Sequence, residues 1–126
     1  MRQTRPVGFA MKRDFEVIRY ILTALEEAPT AERQYPLQLT AYPADIISYH
    51  LWLLIQSGLI VGACNKEAPY AGNFQCYGVC LTWAGHEFLG AIRSDSAWKK
   101  IRHYLAERTL DLSYETIKAA AQALLL

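Results

Sequence analysis

Residues 46–65 form a run of twenty without a formal charge. A stretch of that length fits a bilayer crossing, but Ser48, His50, Gln56, Ser57 and Gly58 interrupt it, and a spanning helix tolerates few such breaks. The run reads instead as a buried helix through Ile47, Leu51 and Leu54. Gly58 suits the left-handed position that ends a helix, and the chain passes from it straight into a strand. Segments 59–64 and 74–81 are both strand-like, joined by a loop with Pro69 and Gly72, and so read as a β-hairpin.

The flanking sequence is helical. Phe15, Ile18, Leu22 and Leu25 fall on one face, with Ile21 beside them, Asp14 as cap and Pro29 as stop. A short strand is predicted at 37–40, between Pro36 and Pro43. Pro43 then fits the first turn of the second helix, with Asp45 complementing its dipole. Thr82 caps a third helix over 83–93 with Phe88, Leu89 and Ile92 inward. Ser94 or Asp95 opens a fourth with Trp98, Ile101 and Leu105 on one face. Ser113 opens a fifth, where Leu112 and Ile117 occupy the positions of a hydrophobic staple. Residues 1–10 read as a flexible arm, with Met11 as an alternative start, and 11–126 as one domain. The expected fold class is α+β and mainly helical. A helix released by glycine into a hairpin is what a winged helix-turn-helix needs, here with two extra C-terminal helices.

Charge and cysteines bound the chemistry. Thirteen Lys+Arg against twelve Asp+Glu give +1, which excludes a general polyanion-binding surface. No apolar run of signal-peptide length follows Arg2 and Arg5, so a cytoplasmic protein is expected. Cys64, Cys76 and Cys80 are expected as reduced thiols. Cys76 and Cys80, on one strand, would lie ~13 Å apart at ~3.3 Å per residue, too far for one zinc with bonds near ~2.3 Å. His86-Glu87 lacks a second histidine, because position 90 is Gly. His50, His86 and His103 belong to no recognisable nucleophile–base motif, and no phosphate loop or dinucleotide fingerprint is present. No enzyme, metal or cofactor is expected, and His50 reads as a hydrogen-bonded helix residue.

Three segments carry a resemblance: MKRDFEVIRYIL at 11–22, YHLWLLIQSGLI at 49–60 and LTWAGHEFLGAIRSDSAWKKI at 81–101. They resemble an uncharacterised bacterial domain-of-unknown-function family that is frequent in phages and prophages. Gly58-Leu59-Ile60 and the pattern Leu81-Thr82-x-x-Gly85-x-x-Phe88-Leu89 are similar to winged-helix regulators in general. The resemblance implies a winged-helix fold and a mobile-element origin, without an established activity. The family often carries a basic residue where this chain has Trp52.

Two binding readings follow. Between Arg33 and Lys66 there is no Lys or Arg, so the candidate recognition helix offers nothing to hold phosphates. Its outward positions are expected to be Asp45, Ser48, Tyr49, Trp52 and Gln56. Tyr49, Trp52 and Gln56, with Tyr70 and Phe74 of the hairpin loop, are aromatic and polar anchors of the kind enriched at protein interfaces. A protein partner, self or host, is therefore the leading expectation. The alternative is a DNA-binding regulator that grips through Arg2, Arg5, Lys12, Arg13, Lys66, Lys99, Lys100 and Arg102. The Ala/Leu-rich end, with Ala119, Ala120, Ala121 and Ala123, is expected to pack against a second copy.

Overall fold

The computed structural model of the chain describes residues 11–28 and 38–126. The 1–10 arm with Arg2 and Arg5 lies outside the described residues, as do Pro29, Pro36 and Leu37. Helix α1 (Phe15–Glu27) turns Phe15, Val17, Ile18, Ile21, Leu22 and Leu25 into the core. The Asp14 carboxylate accepts the Glu16 N–H and caps it. Ala28 is extended, as the residue before a proline is pushed to be.

Helix α2 (Ala44–Ser57) begins one residue later than the sequence suggests, with Pro43 as an extended N-cap rather than in the first turn. Gly58 ends it at φ 79° and donates to Ile55 O and Leu54 O. Strands β1 (Ile60–Cys64) and β2 (Cys76–Leu81) pair antiparallel, with Ile60 opposite Leu81, Cys64 opposite Cys76 and a bulge at Val61/Gly62. Phe74 precedes β2 and belongs to the loop. Helices α3 (Trp83–Ile92), α4 (Asp95–Glu107) and α5 (Tyr114–Ala123) follow, capped by Thr82, Ser94 and Ser113. The fold is α+β and mainly helical, with five helices and one two-stranded sheet among the described residues.

Two expectations fail for the same reason, that sequence spacing along one segment says nothing about what lies across from it. Residues 38–40 are not in a strand; a strand exists only where a neighbour completes its ladder, and the sheet pairs β1 with β2 alone. The thiols are not all reduced: Cys64 and Cys76 form a disulfide with their Cα atoms 4.0 Å apart. The hairpin register sets them opposite each other, whereas only the spacing of Cys76 from Cys80 enters the single-strand argument. Cys80 is free and exposed.

The core gathers around α1 and α3. The Phe15 ring meets Phe88 edge-on at 6.2 Å, and Phe88 lies 4.9 Å from Tyr114 of α5. Arg19 reaches from α1 to the end of α3, where it donates to Ile92 O at 2.7 Å and Arg93 O at 2.9 Å and pairs with Asp95. A cation there also complements the dipole of α3. Glu16 accepts from Trp98 Nε1 of α4 at 2.8 Å, with Arg102 3.4 Å away. No helix among the described residues is long and apolar enough to cross a membrane.

A corner joins α2, the hairpin and α3. Thr82 Oγ1 donates to Gly58 O at 2.6 Å and accepts the Gly85 N–H at 3.1 Å, while Thr82 N–H binds Leu59 O at 3.0 Å. A Cβ on Gly85 would stand 2.0 Å from Leu59 O. The Leu-Thr-x-x-Gly pattern is thus a steric and hydrogen-bonding lock: threonine ties both sides of the corner, and only glycine lets α3 approach it.

Candidate interaction surface

Helix α2 is the element on which the candidate anchors converge. Its inner face, Ile46, Ile47, Leu51 and Leu54, is core. Ser48, expected outside, is buried, because β2 passes over it and Cys76 N–H points to Ser48 Oγ at 3.4 Å. Tyr49 and Trp52, three residues apart on one helix face, stack at 6.0 Å, and Phe74 of the hairpin loop meets Trp52 edge-on at 6.4 Å. All three are half-buried. They form one aromatic row that joins the helix to the loop.

The loop is held in shape by its own polar side chains. Asn65 Nδ2 donates to Asn73 O at 2.8 Å, and Asn65 Oδ1 accepts the Gln75 N–H at 2.8 Å. Gly72 and Asn73 take left-handed φ values of 77° and 48°, conformations suited to glycine and asparagine. A 3-10 turn over Pro69–Ala71 packs against α2 and carries Tyr70, 91% exposed. Gln56 is exposed at the end of α2. Tyr49, Trp52 and Phe74 are therefore brought into contact, while Tyr70 and Gln56 stand at the edges.

The basic candidates are placed differently. Lys12 and Arg13 are exposed at the entry to α1, Lys66 at the start of the hairpin loop, and Lys99 and Lys100 on α4. Arg102 is engaged by Glu16 and lies over the Trp98 ring. None stands on α2. Among the described residues, no group of three or more His, Cys, Asp or Glu side chains is arranged to hold a metal ion.

His50 ties the back of α2 to the start of α1. It is buried, with Nδ1 2.9 Å from Ile46 O and Nε2 accepting the Asp14 N–H at 2.9 Å. Those partners place the proton on Nδ1 and keep the ring neutral; burial pulls its pKa below the ordinary value.

Two features escape the sequence reading. Trp83, at the first turn of α3, is 83% exposed, although a tryptophan in an apolar helix reads as core. The outer face of the hairpin shows Val61, Ala63, Tyr77 and Cys80, all exposed and none charged. Alternation shows only in β1, where Val61 and Ala63 face out; in β2 the bulge sets the exposed Tyr77 and Cys80 three residues apart, which spacing alone does not reveal.

Clefts open on both sides of α2. One of about 650 Å³ lies between segment 38–40, α2 and the hairpin, beside the disulfide. The other, about 490 Å³, is lined by Phe15 and Ile18 of α1, Leu53 and Leu54 of α2, then Leu59, Ala84 and Tyr114, with Arg13, Gln56 and Ser57 as its polar members.

The family described as hypothetical protein DUF2513 matches residues 12–111. An uncharacterized protein of Haemophilus influenzae is 34% identical over 116 residues, covering 91% of this chain and 96% of that protein. No solved structure matches the chain.

Proposed function

Because the chain belongs to the DUF2513 family of hypothetical proteins, we propose that it is a non-catalytic winged-helix binding protein of phage or prophage type. It acts by protein contact through α2 and the hairpin loop. The observation that carries the reading is the Tyr49–Trp52–Phe74 row, half-buried and without a cation on its helix. The order of elements supports the winged-helix part: α2, Gly58, hairpin, then α3 locked back onto the corner. Partly exposed aromatic side chains on a preorganised surface are what protein interfaces use as anchors, whereas DNA-binding surfaces put Lys and Arg against phosphates.

Copurification of the full chain from its source cell, with and without nuclease, is the test. A protein partner retained after nuclease and lost on Trp52→Ala supports the reading, provided circular dichroism shows the variant folded. Truncation of a buried aromatic anchor costs about 2 kcal/mol or more of binding. The complex should respond weakly to salt. Nuclease-sensitive retention, with a steeply salt-dependent, sequence-selective gel shift, would replace this reading with the DNA-binding one through Arg2, Arg5, Lys12, Arg13, Lys66, Lys99, Lys100 and Arg102.

A further inference from the structure

The 490 Å³ cleft beside α2 has the composition of a small-ligand site rather than of a packing defect. Its walls are apolar side chains from four helices and the corner residue Leu59: Phe15 and Ile18, Leu53 and Leu54, Ala84, and the Tyr114 ring. Its volume falls in the range of about 300–1,000 Å³ typical of small-molecule pockets. Polar groups converge at its lip. The Arg13 guanidinium lies over the Phe15 ring, 5.0 Å from the centroid, and has no carboxylate partner among the described residues. The Gln56 amide and Tyr114 hydroxyl make no hydrogen bond among the described residues, and Ser57 Oγ spends its proton on Leu54 O at 2.9 Å, keeping its lone pairs available.

We propose that this cleft binds a small amphipathic carboxylate, its apolar body against Phe15, Leu53 and Ala84 and its carboxylate on Arg13. Charge decides the class. Among the described residues the lining includes one cation and no acid, and a guanidinium binds a carboxylate by two parallel N–H···O bonds. Lys118, with Nζ 5.4 Å from the Tyr114 ring, adds positive potential on the same side. The entry to α1 adds nothing to this, because the Asp14 carboxylate caps it and offsets the positive end of the helix dipole. The inference does not rest on the aromatic row of the protein-contact surface, since Tyr49, Trp52 and Phe74 take no part in the lining and only Gln56, at the edge of that surface, is shared.

The probes are octanoate, with octanol and octylamine as uncharged and cationic counterparts, titrated into the full chain and followed by backbone amide NMR shifts. Octanoate should give saturable shifts at Gln56, Ser57, Leu59 and Ala84. Octanol should bind about fivefold or more weakly, and octylamine more weakly still, as loss of one exposed charge-assisted contact implies. Arg13→Gln, a change at an exposed position, should bring octanoate down to the level of octanol and leave octanol itself unchanged. Ala84→Leu, which fills the cleft, should abolish both; if that variant does not fold, the Arg13→Gln comparison decides alone. Absence of saturable octanoate shifts at those amides, equal binding of octanoate and octanol, or octanoate affinity indifferent to Arg13→Gln would each overturn the proposal.

Discussion

Replacing Gly85 and Gly90 by alanine, one at a time, tests the corner in the most direct way, because both sit in α3 and the chemistry of the change is identical. At Gly90 a new Cβ meets nothing within 4 Å. The substitution removes only the backbone freedom of the unfolded glycine and should stabilise by about 0.5–1 kcal/mol. At Gly85 the new Cβ would stand 2.0 Å from Leu59 O, where ordinary contact begins at 3.4 Å. Either α3 or the Leu59 carbonyl must retreat by more than roughly 1 Å. Overpacking of this kind costs about 1–3 kcal/mol. The retreat also lengthens the Thr82 N–H bond to Leu59 O, worth about 0.5–1.5 kcal/mol. The gain in helix propensity returns about 1 kcal/mol at most. The net expectation for Gly85→Ala is a loss of about 2 kcal/mol. Urea unfolding at equilibrium measures both variants on one scale. In thermal melts the expected shifts are roughly 8 °C down for Gly85→Ala and roughly 3 °C up for Gly90→Ala. If Gly85→Ala stays within about 0.5 kcal/mol of the parent, or if Gly90→Ala is equally damaging, the lock at the corner is not steric and the argument fails.

Stability should fall as pH drops below the ordinary histidine pKa of about 6.5. The unfolded chain then takes up a proton on His50 that the buried, hydrogen-bonded ring resists. The loss levels off below the depressed folded pKa, and His50→Leu should flatten this part of the profile in urea titrations at successive pH values. Asp95, held low by the Arg19 hydrogen bond and charge, adds a second decline only below about pH 3.8. One thiol per chain, that of Cys80, should react with an aromatic disulfide reagent before reduction and three after it. The Cys64→Ser/Cys76→Ser pair should cost about 2–3 kcal/mol by the loop-closure argument, and thiol counting on protein from freshly lysed cells tests the cytoplasmic placement. Self-association, if it uses the C-terminal helix, should depend on Leu125 and Ala123, which are exposed, rather than on Ala120 and Ala121, which are buried in the chain's own core. Leu125→Asp should then lower the mass seen by light scattering, and an unchanged mass removes the idea.

The helices are legible in the sequence because each carries its own boundary chemistry. Asp14, Thr82, Ser94 and Ser113 cap their helices with the expected side-chain bonds, and the apolar spacing of Phe15 to Leu25 names the buried face. Features that depend on what lies opposite are not legible. Whether 37–40 joins a sheet, whether Cys64 meets Cys76, and whether Ser48 faces solvent are settled by register and by which strand crosses α2. The anchors divide in the same way. Tyr49 and Trp52 share a helix face by their spacing alone, but Phe74 joins them only through a loop shaped by Asn65 and Asn73. The Arg13 cleft draws its walls from α1, α2, α3 and α5, so no single segment announces it.

The bonds from α1 to α3 and α4 also set a timetable. Arg19 finds its acceptors 73 and 74 residues further along the chain, and Glu16 its tryptophan 82 residues on. Ribosomes add roughly 5–20 residues per second, so α1 leaves the exit tunnel some 4–16 s before Trp98 does. Through most of that interval its face of Phe15, Ile18, Ile21, Leu22 and Leu25 has lost the tunnel and not yet met Phe88 or Leu89. Of the helices among the described residues, the one made first is among the last to be sealed. The face is closed only once α3 and α4 have cleared the tunnel, so a product truncated just before α4 should be far more easily digested than the full chain.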